Sequence, residues 1–135
     1  MGLDYCYDAL GKHEMAIEVC KKALAIDSTY DNALGDLGWE YYCTGHFDEC
    51  ITYSYKCLKY DEKATYAMFN IALATLRKGD ADKAKELYGH FLSVCKQNNY
   101  EIGNGAVKDL RDLIKQSIQT KEAVSIIEDI FGETP

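Results

Sequence analysis

The 135-residue chain is 47% hydrophobic and carries 22 acidic against 15 basic residues, a formal charge of -7. That apolar content argues against an extended disordered segment and suffices for one domain with a sizeable core. The acidic balance disfavours nucleic acid and anionic membrane surfaces as partners, no apolar run approaches the roughly 20 residues that span a bilayer, and no basic-then-apolar leader is expected.

The only proline is Pro135, so glycine and Asn/Asp clusters alone punctuate the chain, which favours helices. The spacing predicts a helix over 13–26, with Ala16, Ile17, Cys20, Ala23 and Leu24 on one face. Over 31–44, Leu34, Leu37, Gly38 and Tyr41 recur at helical intervals. Gly45 is expected to stop that helix in the left-handed conformation, and Asp48 to cap the next, over 48–60. Helices over 64–78 and 81–96 flank Gly79 in the same way. Asn98-Asn99 and Gly103-Asn104-Gly105 then mark a loop. A helix of about 105–119 follows, with Ala106, Leu110, Leu113, Ile114, Ser117 and Ile118 as its apolar stripe. Lys108, Arg111, Asp112, Lys115 and Gln116 are expected on its opposite face. Thr120 is expected to cap a last helix bearing Ala123, Ile126, Ile127, Ile130 and Phe131.

The chain repeats itself. Gly11, Gly45 and Gly79 stand 34 residues apart, and the same offset aligns Ala16 with Cys50 and Ala84, and Leu24 with Leu58 and Leu92. Leu37 aligns with Ile71, Gly38 with Ala72, and Tyr7 with Tyr41. Each period holds two helices joined by a glycine-centred turn, an antiparallel pair.

This pattern resembles the tetratricopeptide repeat. The residues that carry the resemblance are Leu37-Gly38, Tyr41, Gly45, Cys50, Cys57-Leu58 and Asp61 in the best-preserved copy. Tyr7, Gly11, Ala16, Ala23-Leu24 and Ile26-Asp27 carry it in the first copy, and Ile71, Ala72, Gly79, Ala84, Tyr88 and Leu92 in the third. Ser28 and Glu62 depart from the family's proline, Phe91 from its small residue and Thr75 from its tyrosine. The resemblance implies an all-α fold, a right-handed α-solenoid of helix-turn-helix repeats with a C-terminal capping helix pair. It divides the chain into a partial copy (1–30), full copies at 31–64 and 65–98, and a cap at 99–135. Met1, Leu3 and Tyr7 suit a polar solenoid end poorly, so a longer array or a self-associating N-terminal edge is an open alternative.

Chemistry has little to stand on. Six cysteines are spread without a Cys-x-x-Cys, and His13, His46 and His90 fall at no zinc-ligand spacing. Reduced thiols that pack as small hydrophobes are expected, hence a cytoplasmic protein. Gly103-Asn104-Gly105 lacks the strand and later glycine of a phosphate loop, and Asp48-Glu49 and Asp61-Glu62 are explained as helix-end charges. No catalytic residue, cofactor or metal is expected.

What remains is the concave surface. The resemblance implies that first helices line an inner groove holding a partner peptide or helix. Carried over residue by residue, it points inward Tyr5 and Asp8, then Asn32, Asp36, Trp39 and Tyr42, then Tyr66, Phe69, Asn70 and Arg77. Trp39, the single tryptophan, falls off the packing stripe and offers binding area at low entropy cost. The competing reading packs Trp39 and Phe69 against each other or the C-terminal helices. Residues 1–63 hold 12 acids against 6 bases, and 64–135 hold 10 against 9, which favours a ligand with basic and apolar residues unless the acids serve solubility alone. The repeat subtype that clamps a chaperone's C-terminal carboxylate uses Lys, Asn, Asn, Lys and Arg where this chain has Met1, Tyr5, Asp36, Tyr66 and Asn70, so that ligand is disfavoured. An RNA-binding helical repeat is opposed by the absence of a basic inner stripe.

Overall fold

The computed structural model describes residues 10–135; Tyr5, Asp8 and the N-terminal edge expected to self-associate lie outside them. Seven α-helices are found among the described residues: α1 (Leu10–Ile26), α2 (Asp31–Cys43), α3 (Phe47–Tyr60), α4 (Thr65–Arg77), α5 (Ala81–Asn98), α6 (Gly105–Lys115) and α7 (Thr120–Ile126). A π-helical turn, Ile127–Phe131, completes the order. Helices α1 to α5 each pack on the next, α6 packs on α4 and α7, and α2, α4 and α6 follow one another in contact, giving an all-α helical-repeat solenoid.

One backbone device ends four of these helices. At Gly45 (φ +82°) the Gly45 N–H donates to the Tyr42 carbonyl at 3.1 Å, and the His46 N–H to Tyr41 at 2.8 Å. Gly79 (φ +101°) repeats it, with its own N–H on Leu76 and the Asp80 N–H on Thr75. This paired closure satisfies the last carbonyls of a helix and requires a left-handed residue, which glycine supplies without strain. Asn99 (φ 57°) and Ser117 (φ 58°) make the same closure without glycine. Ser117 therefore ends α6 at Lys115, short of the expected 119. Other boundaries shift as well. Phe47 opens α3 with His46 at the cap position and no side-chain cap bond, so Asp48 lies inside the helix. Thr120 is the first residue of α7 and not its cap. Gly11, aligned by register with the two stop glycines, sits in the first turn of α1.

The repeat positions form the core. Leu37, Ile71, Ala72, Cys50 and Ala84 are fully buried. Gly38 marks the α2–α3 crossing: a Cβ there would stand 2.7 Å from the Ser54 hydroxyl and 3.3 Å from the Cys50 carbonyl oxygen. The C-terminal helices are continuous with this core through Leu110, Leu113, Ala123, Ile126 and Ile127. Phe131 meets Phe69 and Tyr88 with ring centroids 6.0 and 5.9 Å apart. Lys85 of α5 reaches Ser125 at 2.8 Å and Asp129 at 2.6 Å, and Gln119 donates to the Leu76 carbonyl at 2.5 Å. Asp112, expected on the outer face of α6, is buried and pairs with Lys108 at 3.3 Å.

Candidate functional site

The α2–α4–α6 side of the solenoid holds a cavity of about 350 Å³. Helix α2 contributes Asp36 and Trp39, and α4 contributes Thr65, Tyr66, Phe69 and Asn70. Ile102 and the start of α6, with Gly105, Ala106 and Asp109, form the remaining wall. The loop that delivers this wall is tied to α4 by the Thr65 hydroxyl, which donates to the Glu101 carbonyl at 3.3 Å. Gly35 lets Tyr66 close against α2, because a side chain there would collide with the Tyr66 hydroxyl.

Five residues predicted to point inward, Asp36, Trp39, Tyr66, Phe69 and Asn70, therefore line one cavity. Of the remaining described ones, none lines it. Asn32 is exposed in the first turn of α2. Tyr42 is buried and stacked on Trp39, with centroids 5.2 Å apart. Arg77 donates to the Tyr42 hydroxyl at 3.3 Å and lies 5.0 Å over the Phe47 ring, so its charge is held at the edge of the core.

Trp39 and Phe69 are 3% and 6% exposed, which corrects the expectation that Trp39 stands off the packing surface. Tyr42 covers one ring face of Trp39, while Tyr88 and Phe131 hold Phe69. The competing expectation, packing against the C-terminal segment, is thus met for Phe69. Open binding area is not what these two largely enclosed rings offer, although both line the cavity.

The polar groups of the cavity are poorly matched. Trp39 Nε1 and Asp109 Oδ1 are both buried and neither has a hydrogen-bond partner. Burial, and secondarily the nearby Asp112 carboxylate, push Asp109 up to about 7. Burial also raises Asp36, although that residue is exposed at one side. Both carboxylates have lost water to burial, which for Asp109 the Lys108 charge offsets only in part. Sequence reasoning misses Asp109 because the apolar residues alone define the α6 stripe. The available signal is position: Asp109 adjoins Leu110 and stands three residues after Ala106, on the border of the stripe.

The thiols divide. Cys50, Cys57 and Cys95 are buried and free, and Cys20 is half-buried and free. Burial pushes the Cys50 thiol up to about 12, far from a reactive thiolate. Cys43 is disulfide-bonded, which corrects the expectation of reduced thiols throughout. His13, Glu40 and Cys43 bring a ring nitrogen, a carboxylate oxygen and a sulfur within 4.8 Å of one another. His13 Nδ1 contacts the Glu40 carboxylate inside the core. With the Cys43 sulfur in a disulfide, two ligands remain, below the three that a protein zinc site supplies.

Among the described residues no helix is long and apolar enough to cross a membrane. No curated protein matches the chain. A family model described as Tetratricopeptide repeat matches residues 5–30.

Proposed function

We propose that the chain is a binding module without catalysis, because residues 5–30 match a tetratricopeptide-repeat model and such repeats generally mediate protein–protein interaction. The partner is a protein segment, extended or helical, seated in the groove between α2, α4 and α6. Full copies at 31–64 and 65–98 form the groove, and 99–135 caps it, with α6 taking the place of a further first helix. The observation that carries the proposal is the cavity itself. It is lined by first helices of both full copies and holds a buried donor, Trp39 Nε1, and a buried acceptor, Asp109 Oδ1, without partners. Buried polar groups without partners destabilise a fold, and a ligand that pairs them offsets that loss. Asp36 and Asp109 in the cavity disfavour a C-terminal carboxylate as the bound group. The module is read as cytoplasmic from its four free thiols, with Cys43 as the exception.

A plug tests the assignment. A Cβ at Gly105 would meet nothing within 4 Å, so Gly105→Phe fills the groove without removing an existing contact. Segments selected on the wild-type protein from a random peptide display library are expected to be lost by Gly105→Phe. Segments retained equally by both proteins would place binding elsewhere.

A second reading is favoured by α1. Met15, Val19 and Ile26 are 70%, 65% and 90% exposed and fall on one helical face. That face suits a structural element of a larger array or a self-associating adaptor. Sedimentation over a range of concentrations separates the two readings. A monomer at every concentration removes self-association, and a dimer dissolved by Val19→Glu supports it.

A further inference from the structure

We infer that the cavity takes one basic side chain, arginine or lysine, of the bound segment, its cation on the Asp36 and Asp109 carboxylates and its stem against Trp39, Tyr66 and Phe69. This rests on the groove assignment above and names the chemistry of its anchor. Three observations carry it. First, the described lining residues include two acids and no base. Among the described residues, Arg77 is engaged with Tyr42 and Phe47 and Lys108 with Asp112. Asp109 thus keeps an unpartnered carboxylate oxygen on a residue only 9% exposed. Its proton affinity stays raised although the Lys108 charge lowers it, because burial and the Asp112 carboxylate outweigh that charge.

Second, the walls suit the stem of a long basic side chain. Arginine and lysine bury methylene groups along apolar surface and keep the charge at the polar end. Trp39, Tyr66 and Phe69 supply apolar surface for such a stem. Third, the unpartnered Trp39 N–H is a donor and cannot serve the cation. It calls for an acceptor, which the backbone carbonyl of an inserted residue provides. A lone metal ion or inorganic cation would satisfy the carboxylates and leave that N–H unpaired; a peptide residue satisfies both.

Selection of a random display library on the immobilised full chain, followed by titration of the recovered segments, tests this. Arginine or lysine is expected to dominate one position, and replacing it there by citrulline or norleucine weakens binding at least about tenfold, as expected for loss of a desolvated charge pair. Asp109→Asn and Asp36→Asn each weaken the basic segment about fivefold or more and leave the citrulline form unchanged. Circular dichroism verifies that both variants stay folded. Titrating arginine and lysine forms side by side identifies the preferred cation. Recovered segments that Gly105→Phe blocks but that show no basic preference, or citrulline forms that bind equally well, overturn the anchor and leave the groove standing. Recovery of no segment that Gly105→Phe blocks overturns both.

Discussion

Replacing Asp109 by asparagine is expected to stabilise the protein at alkaline pH and to change little near pH 4. The carboxyl is buried and unpartnered at Oδ1, and its burial raises it from an ordinary 3.8 to about 7. The direction of the linkage follows. Between those values the folded protein holds a proton that the unfolded chain has released, so stability falls as pH rises through this window. Above it the full cost is felt, about 3 units at 1.36 kcal/mol each, or roughly 4 kcal/mol. Asparagine removes the charge and leaves an amide with few partners, a cost of about 1–3 kcal/mol that the neutral carboxyl shares. The difference is therefore close to zero near pH 4, where both side chains are neutral, and rises to about 4 kcal/mol in favour of the variant near pH 8. Urea unfolding followed by circular dichroism at pH 4, 6 and 8 measures the difference between the two proteins. Comparing variant with wild type cancels Asp27 and Asp129, whose carboxyls are lowered by side-chain hydrogen bonds from Thr29 and Lys85 and titrate in both. A difference that does not vary with pH, or a variant less stable than wild type near pH 8, would refute the reasoning. Either result would mean that the Asp109 charge already has a partner in the folded state. A fold that carries such a cost in a cleft gives up stability for something other than folding.

Three further substitutions probe the frame around the groove. Gly38→Ala is expected to lose about 1–3 kcal/mol in urea unfolding, because its methyl meets Ser54 and the Cys50 backbone; an unchanged midpoint would show that the α2–α3 crossing has room. Trp39→Ala is expected to lose about 3–5 kcal/mol, since the ring is 3% exposed and stacked on Tyr42; Trp39→Phe is the milder probe of its N–H, and thermal melts of the pair separate packing from binding. Ser117→Gly is expected to gain up to about 1 kcal/mol by relieving a left-handed residue at φ 58°; a lower melting temperature would mean that the serine side chain supports the turn.

The 34-residue period and the alternation of small and large residues are enough to place the five helices α1 to α5. Glycine makes two helix stops visible, because a glycine just past an apolar stripe supplies the left-handed residue that closes a helix. Asn99 and Ser117 make the same stop with side chains that are common elsewhere, so the end of α6 is not legible from residue type. The groove is legible in part for a related reason. Register orients residues on a helix but does not say what will later be laid across them. Asp36, Tyr66 and Asn70 line the cavity, whereas Trp39 and Phe69 are largely enclosed by Tyr42, Tyr88 and Phe131. Asp109 becomes a groove residue only because α6 packs beside α4, a long-range contact that no local pattern announces. The Cys43 disulfide is likewise a tertiary fact: spacing alone assigns no cysteine pairing.

The groove assignment is tested most directly by the indole N–H resonance of Trp39, the single tryptophan of the chain. Titration of the labelled full chain with the arginine-bearing segment best retained in selection should move that resonance saturably downfield, as an unpartnered N–H acquires an acceptor, and Gly105→Phe should abolish the shift. A segment that binds by calorimetry while the Trp39 resonance stays in place would contradict the assignment.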